Sequence, residues 1–126
     1  MSEEGSEGRL LEQIQAASPE EIAEMLLAGG QRFLRMGLEA VERKEAAEQV
    51  RCINRVADII LELRSRLNLK DGGEAAQNLA KIYDWWTSEI FRGLQDGDVD
   101  ALRRVAGQMG EFQETWAQVR LKGSGA

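Results

Sequence analysis

Asp71–Asp98 reads DGGEAAQNLAKIYDWWTSEIFRGLQDGD, a helical pattern held between two glycine and aspartate breaks. Leu79, Ile82, Tyr83, Trp86, Ile90 and Leu94 recur every three or four residues, which places them on one face of a helix from about Glu74 to Gln95. The glycines of NLKDGGE and QDGDVD stop helices on either side. Adjacent helical residues point about 100° apart, so Trp85 and Trp86 cannot share one narrow stripe. Trp86 falls mid-stripe and reads as core. Trp85 falls at the edge of the polar back, near Lys81, Glu89 and Arg92, and Phe91 lies on the opposite flank. Aromatic residues off the seam are either buried against neighbouring helices or reserved for a partner.

Working outward, Asp98 is an N-cap candidate for a last helix from about Val99 to Val119. Leu102, Val105, Met109, Phe112, Trp116 and Val119 give it the seam spacing of a bundle helix. On the other side, Val50, Ile53, Ala57, Ile60, Leu63 and Leu67 define a helix from about Glu45 or Ala46 to Asn68, with Ile59 and Leu61 flanking the stripe. Before it, Ser18, Pro19 and Glu21 form a capping box with proline at the first helical position. The helix they start is expected to run to about Lys44, and ERKEAAEQ must contain the next break. That first helix carries two apolar stripes, one with Ile22, Leu26 and Phe33, the other with Leu27, Leu34 and Leu38. Two stripes imply two buried contacts. Gly29, Gly30 and Gly37 inside it imply close approach by another helix or another chain.

Four helices with short links and no strand-like alternation predict an all-α, antiparallel four-helix bundle. Leu10, Leu11 and Ile14 add a short N-terminal helix or cap segment. Residues 1–8 read as a disordered acidic tail, residues 9–121 as one domain, and residues 122–126 as a flexible C-terminal tail.

Composition narrows the function. The chain has 126 residues, 43% hydrophobic, with formal net charge −6 and pI about 4.8. An acidic chain is unsuited to phosphate contact, so nucleic acid is not an expected partner. No apolar run reaches the ~18 residues of a membrane span. MSEEGSEG lacks the basic and apolar blocks of a signal peptide, and a reduced, cytoplasmic setting fits the lone Cys52. With no histidine, the Glu-x-x-His pairs of di-metal bundles are absent, and Cys52 has no imidazole to activate it. No cofactor and no enzyme activity are expected.

Several blocks resemble a known family. AASPEEIAEMLLAGGQRFL is similar to its Ser-Pro helix start followed by Met-Leu-Tyr-Asp-Gly-x-x-Arg-Phe-Leu, and RVADIILEL to its Ala-Gln-Asp-Ile-Ile-x-Glu-Leu. GGEAAQNLAKIYDWW resembles its Gly-Gly-Glu-(Ile/Leu)-Ala-x-Asn-Leu-x-x-(Leu/Ile)-Tyr-Asp-Tyr, and ETWAQV its last helix. The family is FliS, the flagellar secretion chaperones, and the likeness covers about Ile14 to Val119. Leu27-Ala28 stand where the family has Tyr-Asp, Gln31 at an apolar position, and Trp85 at its second tyrosine. The tyrosine-bearing N-terminal segment of many members is absent.

The resemblance implies a cytoplasmic export chaperone. Its partner would be the disordered C-terminal segment of flagellin, which it keeps from polymerising and helps deliver to the flagellar type III export gate. The groove candidates are Ile22, Leu26, Leu27, Leu34, Ile59, Leu63, Tyr83 and Trp85, several of which are expected to be plain core. Leu10, Leu11 and Ile14 are candidates for a cap that cargo displaces. The alternative is a FliS-like bundle acting as adaptor or regulator for a different flagellar or secretion partner. The free chain is expected as a monomer, or as a weak homodimer that buries Trp85 and Phe91.

Overall fold

The computed structural model describes residues 17–125. All regular structure among them is helical: α1 (Pro19–Glu42), α2 (Ala46–Ser65), α3 (Gly73–Asp96) and α4 (Val99–Gly125). The expected N-terminal cap of Leu10, Leu11 and Ile14 and the acidic tail lie outside the described residues.

The links explain the helix ends. Ser18 caps α1, its Oγ accepting from the Glu21 N–H at 3.1 Å, with Pro19 at the first position. The break in ERKEAAEQ is a Schellman turn made without glycine. Lys44 takes the left-handed conformation at φ 59°, the Glu45 N–H donates to the Ala40 carbonyl at 2.9 Å and the Lys44 N–H to Val41 at 3.1 Å. Gln49 Nε2 donates to the same Ala40 carbonyl at 3.2 Å. α2 ends at Ser65, short of the expected Asn68. Asn68 is drawn into the turn instead: its Oδ1 accepts from the Asp71 N–H and its carbonyl from Gly72. Gly97, at φ 69°, closes α3 as the Asp98 N–H returns to Gly93 at 2.9 Å. Asp98 then caps α4, its Oδ1 accepting from the Ala101 N–H at 3.2 Å. α4 passes the expected end at Val119 and runs through the anticipated tail to Gly125.

The helices pack in a ring, α1 on α2 and α4, and α3 on α2 and α4, with successive helices antiparallel. Pairing across them runs in opposite directions: Gln31 meets Gln113 and Glu24 meets Arg120 between α1 and α4. α1 sits closer to its neighbours than α3 does to its own. The cause lies in side-chain size. A methyl placed on Gly30 would stand 2.9 Å from Met109 Sδ, and one on Gly37 would stand 3.4 Å from Cys52 Cβ. α3 instead directs Tyr83 and Trp86 into the core, and their bulk holds its axis away.

The core is one cluster built around Trp86, Tyr83, Leu27, Leu34, Ile53, Ile60, Ile90, Leu102, Val105 and Met109. Trp86 is fully buried. Its ring lies 5.4 Å from Tyr83 and 5.0 Å from Phe112, both tilted, as aromatic quadrupoles prefer. Its indole N–H donates to Gln108 Oε1 at 2.7 Å, which satisfies the one polar atom it brings inside.

Candidate binding surface

Loose seating of α3 leaves apolar hollows along both its sides. One, about 500 Å³, opens at the bundle end where α1 begins and α2 finishes. Ile22 and Ala23 of α1, Leu63 and Leu67 at the end of α2, Tyr83 of α3 and Trp116 of α4 line it, with Glu20 and Arg66 at charged positions. A second hollow, about 310 Å³, lies between α2 and α3. Ala57, Leu61 and Thr87 line it, and the Arg64–Asp84 ion pair crosses it at 2.8 Å. A third, about 140 Å³, lies between α3 and α4 and is bounded by Leu79, Phe112, Thr115 and Trp116.

Exposed apolar residues extend the second hollow. Leu61 is 66% exposed, Val50 48% and Phe91 39%. Helical spacing puts Val50, Ala57 and Leu61 on one edge of α2, and Thr87 and Phe91 on the facing edge of α3. Trp85, 41% exposed, stands on the other shoulder of α3, toward α4. The side-by-side tryptophans are therefore divided, one sealed in the core and one at the surface.

The candidates named from sequence fall into distinct groups. Ile22, Leu63 and Tyr83 come together around the 500 Å³ cavity. Leu26 and Ile59 are partly buried and pack against the core. A methyl on Gly29 would lie 3.5 Å from Ile59 Cδ1, which puts Ile59 on α1. Leu27 and Leu34 are fully buried and belong to the core, not to any surface of the folded chain. Their stripe turns toward the bundle axis, whereas Ile22 and Leu26 lie at its margin and are only partly buried. Sequence reasoning did not choose Leu67, Trp116 or Leu61. The first two sit on regular seams and look like core. Leu61 carried a signal, an apolar residue flanking its stripe, that goes with exposure.

Electrostatics bind the opposite end of α3. Glu89, 8% exposed, accepts from Arg92 and from Arg104 of α4, at 2.5 and 3.3 Å. Arg92 also donates to Asp98 at 2.9 Å. The hydrogen bond from Arg92 holds both carboxyls below the usual carboxylate range. Burial pushes the Tyr83 phenol and the Cys52 thiol up. Among the described residues no cluster of metal-ligating side chains occurs, and no helix is long and apolar enough to cross a membrane.

The family model described as "Flagellar protein FliS" matches residues 3–123. This chain belongs to the FliS family. It is 33% identical to the flagellar secretion chaperone FliS of Vibrio cholerae over 107 residues, 85% of this chain and 79% of that protein. It is 27% identical to the FliS of Salmonella typhimurium over 112 residues, 88% and 83% of the two chains. With FliSB of Pseudomonas aeruginosa it shares 28% identity over 104 residues, 82% of each. FliS is a family of secretion chaperones and not of enzymes.

Proposed function

We propose that this chain is a cytoplasmic export chaperone that binds the disordered C-terminal segment of flagellin. It would keep that segment from polymerising prematurely and aid its delivery to the flagellar type III export apparatus. The supporting observation is the set of apolar hollows flanking α3, with Leu61 exposed in one of them and Trp85 and Phe91 exposed on the two shoulders of α3, in an acidic chain of this family. A disordered amphipathic segment folds on such a surface by laying its apolar residues into the grooves. Its ordering costs roughly 2–5 kcal/mol, which keeps the complex releasable at the export gate.

The N-terminal residues have a part in this reading. Leu10, Leu11 and Ile14 cover the empty cavity and are displaced by cargo, and Ala17, which follows them, is among the residues lining it. Deleting residues 1–15 then raises affinity for the flagellin segment. The free chain is a monomer or weak homodimer, which light scattering distinguishes.

Isothermal titration with a peptide of the flagellin C-terminal segment tests the proposal. One-to-one binding with a negative heat-capacity change is expected, and Trp85→Ala weakens it. No heat from a folded chain sinks it and leaves the adaptor reading, in which the partner is a different flagellar or secretion protein.

A further inference from the structure

Tyr83 is the only tyrosine of the chain and is 2% exposed, yet its hydroxyl makes no hydrogen bond among the described residues. Burying a hydroxyl with no partner is costly, and buried phenols ordinarily find one. Every fully buried side-chain nitrogen or oxygen among the described residues does have a partner. The Tyr83 hydroxyl is therefore not sealed off, and Tyr83 is among the residues that line the 500 Å³ cavity. The rest of the wall used here is apolar, from Ile22, Leu63, Leu67 and Trp116, with Arg66 and Glu20 offering charges of opposite sign. Arg66 is already engaged by Glu62 at 2.9 Å.

We infer that this cavity takes an apolar peptide segment that presents a hydrogen-bond-accepting oxygen to the Tyr83 hydroxyl. The oxygen is a backbone carbonyl freed where a helix ends, or a terminal carboxylate. Such an oxygen needs a donor once it leaves water, and the phenol is a donor left open inside an apolar wall. The inference rests on the reading of the cavity as a cargo site and specifies what the cargo brings there.

The test uses the full chain and a synthetic peptide of the flagellin C-terminal segment, as the free acid and as the C-terminal amide. With one tyrosine, near-ultraviolet absorbance follows its ionisation directly. Bound peptide should move that ionisation to higher pH, because the hydrogen bond is made by the neutral phenol. Tyr83→Phe keeps the ring packing and removes only the donor. It should weaken peptide binding about three- to tenfold, the worth of one hydrogen bond. The thermal stability of the free variant should be unchanged or higher, since no bond is lost. Weaker binding of the amide than of the free acid, in the wild-type chain alone, assigns the acceptor to the terminal carboxylate. Equal binding of the two peptides, with Tyr83→Phe weakening both, assigns it to a backbone carbonyl, and either result supports the inference. Tight binding by both wild type and Tyr83→Phe, with no shift in ionisation, overturns it while leaving the chaperone reading intact. No binding by the wild type removes both. Loss of thermal stability on Tyr83→Phe in the free full chain, absent when residues 1–16 are deleted, would assign the acceptor to the chain's own N-terminus and overturn the partner assignment.

Discussion

Replacing glycine by alanine at two helical positions should give opposite signs, because α1 is held close to its neighbours and the back of α4 is not. Gly30 and Gly107 both lie inside helices, and alanine is favoured over glycine there by about 1 kcal/mol. At Gly107 a methyl would meet nothing within 4 Å, so Gly107→Ala should stabilise by nearly that full amount. At Gly30 the methyl would lie 2.9 Å from Met109 Sδ and 3.2 Å from its Cε. Met109 is fully buried, so any shift of its thioether tip has to be taken up inside the core. Overpacking of this kind costs about 1–3 kcal/mol, which outweighs the propensity gain and leaves a net loss of about 1 kcal/mol. Urea titration followed by helical circular dichroism reads both. With a slope of about 1–3 kcal/mol per molar, midpoints should separate by about 1 M between the two variants, at unchanged slope. Met109→Leu, which ends its side chain sooner, should reduce the loss when combined with Gly30→Ala, a coupling expected of touching residues. Equal stabilisation by Gly30→Ala and Gly107→Ala would refute the claim that glycine sets the α1–α4 distance.

Lys44→Gly should stabilise by up to about 1 kcal/mol in the same titration, since a side chain at φ 59° pays a left-handed penalty that glycine does not. Leu27→Ala should cost about 2–5 kcal/mol and leave a cavity, whereas Leu61→Ala should change stability by under about 0.5 kcal/mol and weaken capture of the flagellin segment. Glu89 and Asp98 have folded-state pKa values below their ordinary 4.5 and 3.8, so they stabilise the fold above those values. That contribution is lost as pH falls through the lowered folded values. Thermal melts should show wild type losing stability in acid more steeply than Glu89→Gln, and parallel curves would count against the Arg92–Glu89–Arg104 link.

Much of this architecture was legible from local signals. The capping box at Ser18, the glycines at 72, 73 and 97, the cap at Asp98 and the seams at three- and four-residue spacing are all properties of a few consecutive residues. That Trp85 and Trp86 lie on different faces followed from the helical period alone, while the exposure of Trp85 did not, and the family was legible in ordered blocks from Ile14 to Val119. The end of α1 was harder to place, because its Schellman turn uses Lys44 where glycine would have announced it. The end of α2 was misplaced because Asn68, a polar residue beyond Leu67, closes the loop by hydrogen bonds that no periodicity encodes.

What the amino-acid order determined was therefore which residues form helices and which face of each is apolar. What only the packed bundle decided was which apolar residues remain available. Leu27 and Ile22 are both large aliphatics on α1, yet one is sealed and the other lines a cavity. The physical reason is the unequal spacing of the ring. Glycines draw α1 against α2 and α4, aromatic bulk holds α3 away, and hollows open beside the helix that stands off. Distances between helices depend on pairs of side chains far apart in the chain, such as Gly30 with Met109 and Trp86 with Phe112, and no single stretch of sequence contains both members.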